Sequence, residues 1–307
     1  MRHNLYGVEL ADTVPVVLGA IESVNVRMGS EHRADTTSGA IYPTHVAIVS
    51  QKPVADYSSF AIADCLNNVG LAGLSIADLA NGLNLYGYKH ADGGGRATGA
   101  NHRKFNIKQG LVVPRRITCE HRGDAQIAYD VLPTWDGTND PIIESDAVAV
   151  PTAPSDDERF SIGPVTIGAI AIDEVRSIEL NFGMNAKTEG ADSDVFDTHS
   201  SVVEVLVMLT LRGVKLEWLA ATGIPRAGKP ATHANTSFYL RKRSQSAAGF
   251  LGNATAEHIK GTMAGLAWIE DAFTGGSDNP AECSLKMAAK FDGTNMPVVF
   301  TTTSAIA

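Results

Sequence analysis

Apolar and polar residues alternate with period two through much of this chain. Successive strand side chains face opposite ways, so such segments bury one face each. Val24, Val26 and Met28 flank Asn25 and Arg27; Ile178, Leu180 and Phe182 flank Glu179 and Asn181. Ile127, Tyr129 and Val131 repeat the pattern, as do Cys283, Leu285 and Met287. The β-branched run VVEVLVMLTL, residues 202–211, predicts one strong strand, and VAIVS, residues 46–50, begins its weaker partner. Helical spacing is scarce. In SSFAIADCLNNVG, residues 58–70, Ser58 or Ser59 can cap a helix whose apolar side holds Ile62, Leu66 and Val69 and which Gly70 stops. GVKLEWLAATG, residues 213–223, predicts its counterpart, and SIADLANGL, residues 75–83, a further short helix in the first half only.

The alternating segments recur. Residues 22–49 fall on 176–203 without a gap, and five of the 28 positions are identical: Ser23/Ser177, Gly29/Gly183, Thr44/Thr198, His45/His199 and Val49/Val203. Ile41/Val195 and Tyr42/Phe196 match in kind. The correspondence continues in order, from Gly70/Gly223 and Lys89/Lys242 through Gly110/Gly265 to a repeated motif, WDGTNDPII at 135–143 and FDGTNMPVV at 291–299. Repeats of this size imply one structural unit used twice. PTAPSDDERFSIGP, residues 151–164, reads as the join, with two early prolines and a charge run. The expected division is 1–154 and 155–307. Each unit is expected to be a β-rich domain of six to eight strands with a short helix, so the expected fold class is mainly β. Two polar, Gly-flanked segments, GSEHRADTTSG from Gly29 and GMNAKTEGADSD from Gly183, predict matching long hairpin loops.

Chemistry adds little to this picture. Asp136, Asn139 and Asp140 could open a calcium loop, but Pro141 follows where an EF-hand needs more ligands, and Met296 replaces Asp140 in the second copy. Asp-Gly between apolar runs reads as a turn. His45 and His199 are expected to start strands rather than to bind metal. The glycine-rich segment 89–104 lacks the Gly-Lys-Ser/Thr ending of a phosphate loop, although Arg96, His102, Arg103 and Lys104 could serve a partner. Arg115–Arg116 and the RKR run 241–243 are expected on solvated faces or at contacts between chains. Two of the three tryptophans (Trp135, Trp218, Trp268) are expected in the core. No catalytic, cofactor-binding or metal residue is assigned, and an enzyme is not expected.

Composition narrows the classes. Apolar residues make up 44%, enough for a large core, and the net charge of −9 argues against a general nucleic-acid binder. Cys65, Cys119 and Cys283 are scattered and odd in number, which favours a reducing compartment. No apolar run is long enough to predict a membrane helix, and the start lacks the long apolar run of a secretory signal.

With its paired β-units, polar hairpins and lack of an active-site signature, the chain resembles the tail tube (major tail) proteins of long-tailed bacteriophages. The likeness rests on the strand run IGPVTIGAIAIDEVRSIELNFGMNAKTEGADSDVF, the polar hairpin within it, the strand VVEVLVMLTL and the short helix GVKLEWLAATG. It implies β-sandwiches in stacked hexameric rings, long loops that bind the next ring, and an acidic lumen through which genomic DNA passes without specific binding. With two units per chain, a trimeric ring with pseudo-sixfold symmetry is expected. Its partners are further copies of the chain and other phage tail proteins, with no membrane. Its location is the virion tail, after assembly in the bacterial cytoplasm. The rival readings are a tandem carbohydrate-binding module and another ring component such as a tail terminator.

Overall fold

The computed structural model describes residues 3–89, 102–152, 158–172, 174–191, 194–214, 222–225, 229–245, 249–276, 279–291, 293–294 and 296–306. The fold is mainly β, in large antiparallel sheets. The first half supplies β1 (His3–Leu10), β2 (Val16–Leu18), β3 (Ile21–Arg27), β4 (Ser30–Asp35), β5 (His45–Gln51), β6 (Val54–Ser59), α1 (Ile62–Asn68), β7 (Leu74–Ser75), β8 (Leu83–Lys89), β9 (His102–Ile107), β10 (Gly110–Glu120), β11 (Gln126–Pro133) and β12 (Ile143–Val148). The second half supplies β13 (Phe160–Ile167), β14 (Ile170–Ile172), β15 (Ser177–Asn181), β16 (Met184–Glu189), β17 (His199–Val205), β18 (Met208–Val214), β19 (Ala231–Lys242), β20 (His258–Gly276), β21 (Asn279–Ala289) and β22 (Val298–Ser304).

The strand order of one half is the order of the other. In the first half one sheet runs β12-β9-β8-β1-β2 and the second β10-β11-β6-β3. In the second half the runs are β22-β20-β19-β13-β14 and β20-β21-β18-β15. One long strand, β20, thus takes both places that β9 and β10 fill separately. Both halves contribute to one apolar core. Val8, Leu83, Leu85 and Ile107 of the five-stranded sheet lie in it with Tyr57, Ile127, Tyr129 and Val131 of the other sheet. The Tyr57 and Tyr129 rings stack with centroids 5.0 Å apart. Leu209, Leu211, Leu285 and Met287 build its second-half portion.

More strands form than the six to eight expected per half, because short runs and the polar hairpin segments are strands themselves. Residues 202–211 are two strands, not one: β17 ends at Val205, and β18 begins at Met208 in a different sheet. α1 forms as predicted, but its N-cap is Ala61, with no side-chain cap. Ser59 is fully buried; its hydroxyl donates to Gly19 O at 2.7 Å and accepts from Ala61 N–H at 3.0 Å. Ser58 is held in β6, its hydroxyl 2.6 Å from that of Ser23. The short helix expected from Ser75 is one 3-10 turn, Ile76–Asp78. The helix expected at 213–223 lies largely outside the described residues, and so do 90–101 of the glycine-rich segment and 153–157 of the join. The join is shorter than expected: Phe160 already opens β13 and is fully buried.

Candidate assembly surfaces

Gly29 and Gly183 end their sheet strands in the same unusual conformation, φ +55° in each. A Cβ there would lie 2.0 Å from Lys52 O or Leu206 O, so only glycine fits. Their carbonyls accept from Lys52 N–H at 2.9 Å and Leu206 N–H at 3.1 Å. This closed base lifts the hairpins β4–β5 and β16–β17 off the large sheet. Their registers match, Ser30 opposite Gln51 and Met184 opposite Val205, and both skip the same position, Val49 or Val203. His45 and His199 each begin the returning strand. Freed from the sheet, the hairpins expose apolar side chains, among them Val46, Ile48, Val49, Val203 and Val205.

The two halves meet in one continuous sheet. β15 pairs antiparallel with β10, from Arg116 opposite Asn181 to Glu120 opposite Ser177. Further bonds flank the joint: Phe182 N–H to Arg115 O at 3.0 Å, His121 N–H to Arg176 O at 2.7 Å and Ala125 N–H to Phe160 O at 2.7 Å. The RKR run lies beside it. Arg243 donates to the carbonyls of Arg122 and Gly123, and Lys242 pairs with Glu158 and Glu257. Arg159 sits 4.6 Å over the ring of Phe60. This joint is head-to-tail. β15 is the counterpart of β3, and β10 is the counterpart of the later part of β20. β3 ends the large sheet, and the β19 side of 268–276 has no strand partner among the described residues. β10 and β20 share a bulge in the same place, between Pro114 and Arg116 and between Ile269 and Asp271. Among the described residues the chain therefore holds one complete joint and the two unpaired sides of another.

The face of the large sheet turned away from the core is polar. Asp56 and Asp130 stand opposite each other on β6 and β11. Arg27 reaches Asp56 at 2.8 Å and Arg115 reaches Asp130 at 3.5 Å. Burial raises the Asp130 carboxyl above its usual range, Arg115 counters this, and the like charge of Asp56 adds to the rise. In the second half Glu179, Thr210, Arg212, Glu270 and Lys286 line an open polar cavity of about 420 Å³, with Lys286 and Glu270 paired. This face interleaves acids with bases. Trp268 joins it, half-buried, because Ala267 and Ile269 on either side take the inward positions. Trp135 is half-buried as well, and Trp218 lies outside the described residues, so neither described tryptophan is in the core as expected.

The first copy of the repeated motif is a turn. Asp136 accepts from Thr138 N–H at 2.8 Å, from Asn139 N–H at 2.6 Å and from the Asn139 side chain at 2.8 Å. Both carboxylate oxygens are thus engaged inside the turn, and the Asn139 side chain and amide hold the carboxyl below its usual range. Of the basic residues proposed for a partner surface, His102 is buried in β9, Arg103 pairs with Glu144 and Asp146, and Arg96 lies outside the described residues. No helix among the described residues is long and apolar enough to cross a membrane. The structure therefore defines a mainly β chain with a head-to-tail sheet joint and, among the described residues, unpaired edges. No protein-family model and no curated protein sequence matches it.

Proposed function

We propose that this chain is a virion structural protein that builds the stacked rings of a bacteriophage tail tube. Residues 1–154 and 155–307 act as two tail-tube-like domains. Three chains close a ring with pseudo-sixfold symmetry, β3 of each pairing with 268–276 of β20 in the next. Unpaired strand edges are a liability in an isolated protein. Here each edge has a complement on the same chain, so association is heterologous and closes into a ring when the rotation allows. The polar face away from the core then lines the lumen, through which DNA passes, and its paired charges give a polyanion no continuous basic track to bind. Its location is the virion tail, and its partners are further copies and other tail proteins.

The observation that carries this reading is the β10–β15 joint, together with the two edges left over by it. The test is electron microscopy of purified protein, alone and with partner tail proteins, alongside mass measurement over a concentration series. Rings or tubes with a central hole, in units of three chains, are expected. A compact monomer under every assembly condition would overturn the proposal.

A further inference from the structure

The two hairpins share a register but not their surroundings. The turn of the second is seated on the first half of the chain. Gln51 N–H donates to Val195 O at 3.1 Å, and Gln51 bridges Phe196 in parallel. Trp135 N–H donates to Asp197 O at 2.8 Å, the Gln109 side chain donates to Thr198 O at 3.2 Å, and Lys52 lies 3.9 Å from Asp197. At the matching positions of the first hairpin, Ile41 is 89% and Tyr42 80% exposed.

The matching seat also exists, on the second half. Val205 stands where Gln51 does, and Phe291 where Trp135 does. Both are exposed, and with Phe182, Met184, Met296 and Pro297 they line an apolar cavity of about 360 Å³. Tip and seat differ from the internal pair in a correlated way. Where the internal contact sets Lys52 against Asp197, the open one offers Leu206 and Pro43, so a charged pair is replaced by an apolar pair on both sides at once. Ala264 replaces Gln109, which removes another polar group from the seat.

We propose that the β4–β5 tip of one chain, Ile41 to Thr44, docks in the groove beside Phe291 on a second copy of this chain. Val205 N–H donates to Ile41 O, Phe291 N–H donates to Pro43 O, and the Tyr42 ring enters the apolar cavity. The contact rests on the head-to-tail assembly proposed above and deepens it by naming the partner segment. It lies beside the sheet joint, so it closes the ring laterally, and it covers exposed apolar surface on both copies. A tyrosine anchored in an apolar pocket is the side chain expected to dominate such an interface.

The test is cross-linking between separately made Tyr42→Cys and Val205→Cys chains, both exposed positions. The native Cys65, Cys119 and Cys283 are buried and free. With the protein concentration raised about tenfold to offset the lost tyrosine ring, a covalent dimer is expected from the mixture and from neither variant alone. Tyr42→Ser should weaken assembly about tenfold or more while leaving the monomer's thermal midpoint unchanged, since the ring touches little within its own chain. Rings that form without the cross-link, with Tyr42→Ser assembling like the parent, would overturn the docking and leave head-to-tail assembly standing. A Tyr42→Cys homodimer would also overturn it, by revealing a symmetric contact. Absence of both rings and cross-link at every concentration would overturn both proposals.

Discussion

At the scale of single residues, the paired glycines are among the tightly constrained positions described. Gly29 and Gly183 combine a left-handed backbone with a carbonyl in the space a Cβ would need. Gly29→Ala and Gly183→Ala should each cost about 2 kcal/mol or more, read as a lower urea midpoint, because the substitution adds backbone strain and a clash. Asp136 gives a pH-dependent prediction. Its carboxyl is held low in the folded chain, so its contribution is fully present above the unfolded value of about 3.9 and is lost as pH falls through the folded value. Asp136→Ala should therefore lower stability by about 1 kcal/mol at pH 7, from the turn bonds it removes, and by less near pH 2. Urea melts of both proteins at the two pH values check this. The Asp-Gly turn was legible because its donors and acceptor lie within four residues. The strained φ of Gly29 was not, since the Lys52 carbonyl that forbids a side chain is far along the sequence.

At the scale of elements, residues 202–211 show how far a pattern carries. Its four valines and Thr210 favour a strand, and strands form. The break at Leu206 and Val207 is silent in the sequence, whereas Pro53 marks the same break in the first half. Val203 on β17 is exposed and Leu209 on β18 is fully buried, although both belong to one apolar run. Leu209→Ala should cost roughly 2–5 kcal/mol as a core cavity, and Val203→Ala within about 0.5 kcal/mol of zero, in denaturant melts of the unassembled chain. The α1 cap failed as a prediction for a related reason. The long-range bond from Ser59 to Gly19 O engages the hydroxyl that local sequence offered as a cap.

At the scale of the whole molecule, the joint between halves is its own control. Amides of β10 and β15 are paired inside the chain, while β3 and 268–276 each keep one side unpaired among the described residues. Hydrogen exchange should show protection of β10 and β15 in the monomer and after assembly alike. In β3 and 268–276 the outward amides should exchange fast in the monomer and slow down on ring formation. Unchanged exchange in both edges within assembled particles would count against edge pairing. The interleaved charges of the polar face temper the expectation drawn from net charge, because a total of −9 says nothing about which side carries it.

The sequence by itself determined the period-two strands, the mainly β class, the position of α1 and the correspondence between halves. These follow from local periodicity and from order along the chain, which need no knowledge of spatial neighbours. The tertiary structure alone decided which strand lies beside which, that β15 closes onto β10, and that Val46, Ile48, Val49, Val203 and Val205 of the hairpins are left exposed while Met184 packs on the core. A strand does not encode its partner in its own alternation, since the backbone bonds that join two strands are the same for every sequence. Burial adds the rest: an apolar side chain is core or contact surface depending on what the sheet order leaves opposite it.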